Sequence, residues 1–157
     1  MNKIVCFTGH RVISESEYPL MWRKLDAEIE RLIQNGAETF RTGGALGFDT
    51  AAALCVLSHR LRHPQIRLEL ILPCPAQTSG WRKSDVDTYQ RILDQADAHR
   101  YLAQSYYNGL MQARNRALVD GADTCVAFLH TSHGGTAYTF AYALKNGLET
   151  INLYDRH

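Results

Sequence analysis

No C-x-x-C pair occurs among the four cysteines, Cys6, Cys55, Cys74 and Cys125, so neither a zinc knuckle nor a thioredoxin-type motif is available. No apolar run approaches the roughly 18 residues of a membrane span, and the one at 4–7 is too short for a signal peptide. The expectation is a cytosolic chain with no membrane partner. A G-K-[ST] sequence is also missing, which argues against nucleotide hydrolysis of the P-loop class. Charge of one sign is lacking too: 17 Lys+Arg stand against 16 Asp+Glu, a formal charge of +1. That balance gives no broad electrostatic footprint for duplex nucleic acid, so nucleic acid is not expected as a partner. Linkers, low-complexity segments and repeats are absent, and the 157 residues read as one domain, 1–157. Such a length buries roughly 68–70% of the unfolded surface without a metal or disulfide staple.

What is present is alternation. Ile4-Val5-Cys6-Phe7 reads as a buried strand ended by Gly9. Ser14-Glu15-Ser16-Glu17 has the capping-box spacing and precedes Trp22, Leu25, Ile29, Leu32 and Ile33 at helical intervals. Further strands are expected at 38–41, 66–72, 98–102, 124–129 and 150–154. Helices are expected at 50–61, 84–96, 108–119 and 135–145. Six strands alternating with five helices specify an α/β chain: a three-layer αβα, Rossmann-like fold, with a mostly parallel six-stranded sheet and helices on both faces. In such sheets ligands bind outside the carboxyl ends of the strands, where the strand order switches.

Three glycine loops lie at such ends. Thr42-Gly43-Gly44-Ala45-Leu46-Gly47-Phe48-Asp49 follows the second strand, and Gly134-Gly135-Thr136 follows the fifth. Thr8-Gly9-His10-Arg11 follows the first. Glycines let the backbone approach an anion, and a helix N-terminus supplies unpaired N–H groups and a positive dipole end. Each loop alone is as well explained by a plain strand–helix turn; three together point to one nucleotide-like small molecule. The spacing Gly43-Gly44-x-x-Gly47 is not the dinucleotide fingerprint G-x-G-x-x-G.

Leu110, Arg114 and Leu118 recur every four residues, which puts a guanidinium on an apolar face. A ligand phosphate is its preferred partner, with Asp49, Asp85 or Asp87 as the internal alternative. Asn115 is a candidate for ribose or base, or equally a loop brace. Asp49 suits a ribose hydroxyl, although carboxylates favour helix starts for dipole reasons alone. His10 and Arg11 can reach a phosphate or base edge. Trp81, in the loop after the third strand, is the best-placed aromatic for stacking a base. His130-x-x-His133, with His10, lacks a carboxylate or thiolate partner, so no metal and no other cofactor is expected. The cysteines read as small buried side chains, Cys74 shaping a Pro-Cys-Pro loop.

Together, Cys6-Phe7-Thr8-Gly9-His10-Arg11, Gly43-Gly44-Ala45-x-Gly47-x-Asp49, Arg114-Asn115 and Gly134-Gly135-Thr136 resemble the YpsA-like family of the SLOG superfamily of Rossmann-like domains. The resemblance extends over essentially the whole chain, including Trp81, Asp87 and Tyr89. It implies binding of a nucleotide or nucleotide-derived signal, and it groups the chain with the Lonely Guy phosphoribohydrolases and the DNA-processing protein DprA. The phosphoribohydrolases carry a glutamate after their second glycine loop. Here no carboxylate occurs between Thr136 and Glu149. A nucleotide-binding protein of unassigned role is therefore the leading expectation, and a nucleoside monophosphate N-glycosidase the alternative. Single-stranded DNA binding ranks third. The oligomeric state is not set by the sequence, and a homo-oligomer is allowed.

Overall fold

The computed structural model describes residues 3–155. In chain order the elements are β1 (Lys3–Gly9), α1 (Tyr18–Gln34), β2 (Ala37–Thr42), α2 (Phe48–Arg60), β3 (Arg67–Leu72), α3 (Lys83–Gln95), β4 (Ala98–Tyr101), α4 (Leu110–Val119), β5 (Thr124–Phe128), α5 (Gly135–Lys145) and β6 (Glu149–Asn152). The six strands form one sheet in the order β4-β3-β2-β1-β5-β6, and every neighbouring pair is parallel. This is the expected αβα arrangement.

Side-chain alternation explains the layers. Val5 and Phe7 of β1 join Phe40, Leu68, Leu70 and Val126 in the larger core, under α1, α2 and α3. Cys6, one residue out of phase, points the other way with Ile71 and Cys125, under α4 and α5. The strands are apolar on both faces because both faces are covered. All four cysteines are buried and free. Among the described residues no helix is long and apolar enough to cross a membrane.

Two boundaries differ from the sequence reading for identifiable reasons. The capping box forms: Ser14 N–H donates to Glu17 Oε1 (2.9 Å) and Glu17 N–H to Ser14 Oγ (3.2 Å). It closes a preliminary turn, however, and α1 begins only at Tyr18, with Pro19 in its first turn. The last strand stops at Asn152 instead of running to 154. The Asn152 amide donates to Leu129 O (2.9 Å) and its Oδ1 accepts from Tyr154 N–H (3.1 Å), bending the chain into a 3-10 turn.

The order runs outward from β1 in both directions, with β2 on one side and β5 on the other. The switch therefore lies between β1 and β5, in register Cys6–Cys125 and Thr8–Ala127. Their carboxyl ends open a crevice there.

Candidate functional site

The crevice is built from three strand exits. Where β1 ends, His10 O accepts from Phe48 N–H (3.1 Å), tying this exit to the start of α2. The fit is close: a Cβ on Gly9 would lie 2.4 Å from the Phe48 side chain. Where β2 ends, Ala45 N–H donates to Asp49 Oδ2 (3.2 Å) and Thr50 Oγ1 to Ala45 O (2.9 Å). The loop is thus folded back on the first turn of α2. Where β5 ends, the chain crosses to the β1 loop: His130 N–H donates to His10 Nε2 (3.0 Å), with the two rings 4.2 Å apart. Gly134 then caps α5, and Thr139 Oγ1 donates to Gly135 O (2.8 Å).

Helix α4 closes the crevice from the side. Arg41 of β2 docks its C-terminal end, donating from Nη1 to Asp120 O (2.9 Å), a favourable place for a cation. On the face so held, Arg114 is buried to 4% exposure. Its Nη1 donates to Gly43 O and its Nε to Asn115 Oδ1 (3.0 Å). Gln77 also donates to Gly43 O (3.2 Å), so the β2 exit is clamped from two sides. Nη2 makes no hydrogen bond with the described residues.

These exits enclose a cavity of about 390 Å³. Thr8, Gly9, His10, Arg11, Ala45, Asp49, Arg114, Asn115, Gly135 and Thr136 all line it, with Phe7 and Leu118 behind. The other expected site residues sit elsewhere. Gly43 is behind the Arg114 guanidinium and Gly44 packs against Leu72. Gly47 presses on the Arg11 and His10 carbonyls, and Gly134 forms the α5 cap. Trp81 stands edge-on to Tyr89 (5.6 Å) in a second hollow of about 200 Å³. Arg11, Ala45 and Met111 line both hollows, so the two adjoin. Sequence reasoning missed Met111 and Gln112, which also line the main cavity. The signal was there: Met111, Arg114, Asn115 and Leu118 are spaced i, i+3, i+4, i+7.

Electrostatics follow from burial. Asp49 and Arg114 share the cavity wall without a direct ion pair. Burial pushes the Asp49 carboxyl above its usual range, opposed by Arg114, the Ala45 N–H and Arg11. Burial likewise lowers the Arg114 guanidinium from its ordinary value, and Asp49 opposes that shift. Each charge compensates the other at a distance.

His10 is held below the usual imidazole value by burial and then by His130, with Glu17 opposing. Its Nε2 must be unprotonated to accept the His130 N–H. Because the folded-state value lies below the unfolded one, the contribution is intact above about pH 6.5 and is lost as pH falls through the folded value. Wild type should therefore lose more urea resistance between pH 7 and 5.5 than His10→Gln, whose amide oxygen still accepts that bond. Parallel pH profiles of the two would refute the assignment.

A six-stranded parallel sheet with a polar cavity at its switch point defines a Rossmann-like α/β protein. The YspA SLOG family model matches residues 8–155, and the chain belongs to that family. It is 33% identical over 138 residues to an uncharacterised SPbeta prophage-derived protein of Bacillus subtilis, YoqJ, covering 80% of this chain and 81% of that protein. It is 28% identical over 153 residues to a UPF0398 protein of Halalkalibacterium halodurans, covering 91% and 81%. Among solved structures, DNA processing protein A of Streptococcus pneumoniae superposes with a TM-score of 0.68 at 15% identity, over 95% of this chain. The Helicobacter pylori protein of that name superposes with 0.67 at 20% identity, over 94%. This chain spans only 49% and 63% of those two.

The Helicobacter structure describes a single-stranded DNA binding mode. That overturns the expectation that nucleic acid is not a partner. The exclusion rested on net charge, which sums over a whole surface. Arg11 and Arg114 are gathered at one cavity whatever the total, so a charge of +1 excludes nothing here.

Proposed function

We propose that this chain is a cytosolic, single-domain binding protein for a nucleotide or nucleotide-derived small molecule, held between the β1, β2 and β5 exits. The observation that carries the reading is their convergence on one cavity with a buried, pre-oriented guanidinium. Arg114 is fixed through Nη1 and Nε, so it meets a phosphate through Nη2 with little ordering left to do. Arg11 and the first N–H groups of α5, at Gly135 and Thr136, complete the anion site. Asn115 and Asp49 are placed for ribose hydroxyls, and the base extends toward Trp81 and Met111. A volume of about 390 Å³ falls within the usual range for small-molecule sites, roughly 300–1,000 Å³.

A second reading has one observation in its favour. The 134–136 loop lacks an acid, but Asp49 brings a carboxyl of raised proton affinity to the same cavity as Arg114. General acid–base action by such a group contributes about 10²–10⁴-fold, which suits N-glycosidic cleavage of a nucleoside monophosphate.

One panel tests both. Thermal unfolding is followed with nucleoside phosphates, cyclic nucleotides, ADP-ribose compounds and short single-stranded DNA, and each mixture is assayed for free base. A ligand at 100 times its Kd adds about 2.7 kcal/mol, or about 5–10 °C for a domain of this size. A shift without base release supports binding alone; release that Asp49→Asn abolishes supports the enzyme. No shift with any phosphorylated nucleoside sinks the proposal, and a shift with DNA alone moves the cavity to that class of partner.

A further inference from the structure

Roughly 15 Å along α2 from Asp49, at a rise of about 1.5 Å per residue, a second polar cluster joins α1 to the end of α2. Helix α1 contributes Asp26 and Glu30, one turn apart. His59 is near the end of α2, and His63 follows one turn later, its N–H bonded to His59 O (2.8 Å). His59 is buried to 1% exposure. Its Nε2 is 2.7 Å from Asp26 Oδ1 and its Nδ1 is 3.1 Å from Glu30 Oε1. His63 Nε2 lies 3.0 Å from that same Glu30 oxygen.

The Glu30 oxygen stands between two imidazole nitrogens. Asp26 Oδ1 lies against Nε2, and Nδ1 faces a carboxylate oxygen, a contact that a second ring proton, a guanidinium or a metal ion can each bridge. Arg62 Nη2 is 3.3 Å from Nδ1 and 3.9 Å from Glu30 Oε1, on a side chain that is 61% exposed. A metal fits the spacing. Ligand atoms bound tetrahedrally at about 2.0–2.1 Å are themselves about 3.3 Å apart, close to the spacings found between Glu30 and each ring. A carboxylate on the far nitrogen of a ligating histidine is the usual outer support of such sites, fixing tautomer and ring orientation.

We propose that Glu30, His59 through Nδ1 and His63 through Nε2 bind a divalent transition-metal ion of the zinc type. Asp26 is the positioning residue for His59, and a fourth place is left to water. The ion clamps α1 to α2, on the far side of the molecule's chemistry from the nucleotide-like cavity and independent of it. Two imidazoles and one carboxylate suit Zn²⁺ or Co²⁺ and disfavour Mg²⁺ or Ca²⁺.

The test uses tag-free, chelator-stripped full-length protein titrated with Zn²⁺ by calorimetry and with Co²⁺ by visible absorption. One equivalent should bind, with a rise in melting temperature and the absorption of four-coordinate Co²⁺. His63→Ala and Glu30→Gln, both at partly exposed positions, should remove the Co²⁺ band while leaving the metal-free melt close to wild type. Asp26→Asn should weaken Zn²⁺ binding about 10–100-fold, and Arg62→Ala should leave it equal or tighter. The proposal is overturned if no stoichiometric binding occurs, or if His63→Ala binds as tightly as wild type. A cluster served by Arg62 alone would instead lose stability in Arg62→Ala and take up no metal.

Discussion

Gly47→Ala is expected to lower the melting temperature by about 6–12 °C and to abolish any ligand-induced shift. Gly47 precedes α2 with φ 76° and ψ −120°, a region that essentially only glycine adopts. Backbone strain of that kind costs about 1–3 kcal/mol. A second cost is particular to this corner. A Cβ there would stand 2.4 Å from Arg11 O and 2.5 Å from His10 O. These are backbone atoms of the loop that lines the cavity, so they cannot rotate aside as a side-chain tip would. Together the two costs reach about 3 kcal/mol or more, at roughly 2–4 °C per kcal/mol for this chain length. Gly121→Ala is the matched control: φ there is 81°, but a Cβ meets nothing within 4 Å. It should show the strain without the displacement of the β1 loop. If the two variants melt alike and both keep the ligand response, the close approach of α2 to the first loop is not what shapes the site.

The same contact shows why part of the molecule was readable from sequence and part was not. Strand and helix order follows from local patterns: Ile4-Val5-Cys6-Phe7 has to be covered on both faces, and Asn146-Gly147 has to stop a helix. Strand order in the sheet does not follow from any one segment, but parallel alternation plus the switch-point rule restricts where the exits can meet. The residues on those exits could therefore be named in advance. The helix face was harder. Reading α4 at intervals of four caught Arg114 and lost Met111, because one helical face uses both i+3 and i+4 steps. Trp81 illustrates another limit: its loop follows the third strand as expected, yet Tyr89, eight residues away on α3, packs edge-on against its ring, and Trp81 lines the neighbouring hollow. The Glu30–His59–His63 cluster was invisible for a simpler reason. Its members lie on α1, at the end of α2 and in the turn that follows, whose register only tertiary packing decides.

Arg114→Met should cost about 3–5 kcal/mol, lowering the melting temperature by about 6–20 °C, and should remove the ligand response. The guanidinium is one of the few buried charges in the molecule, and its loss leaves Asp49 buried with only Arg11 and two backbone N–H groups to compensate it. Removing one member of a buried charge pair costs more than the pair contributes, because the survivor's desolvation is no longer offset. Asp49→Asn should thus also destabilise, but by less, since an amide oxygen can still accept from Ala45 N–H. The decisive variant is the double one. Arg114→Met with Asp49→Asn should be more stable than the sum of the two single effects predicts, by about 0.5–3 kcal/mol, as expected for groups that compensate one another. It should nevertheless bind no phosphorylated nucleoside. If the double variant recovers stability and binds as wild type does, Arg114 serves only to brace Gly43 and the phosphate is held elsewhere. If the single costs simply add, Asp49 and Arg114 are not coupled, and the electrostatic account of this cavity wall fails even with the fold intact.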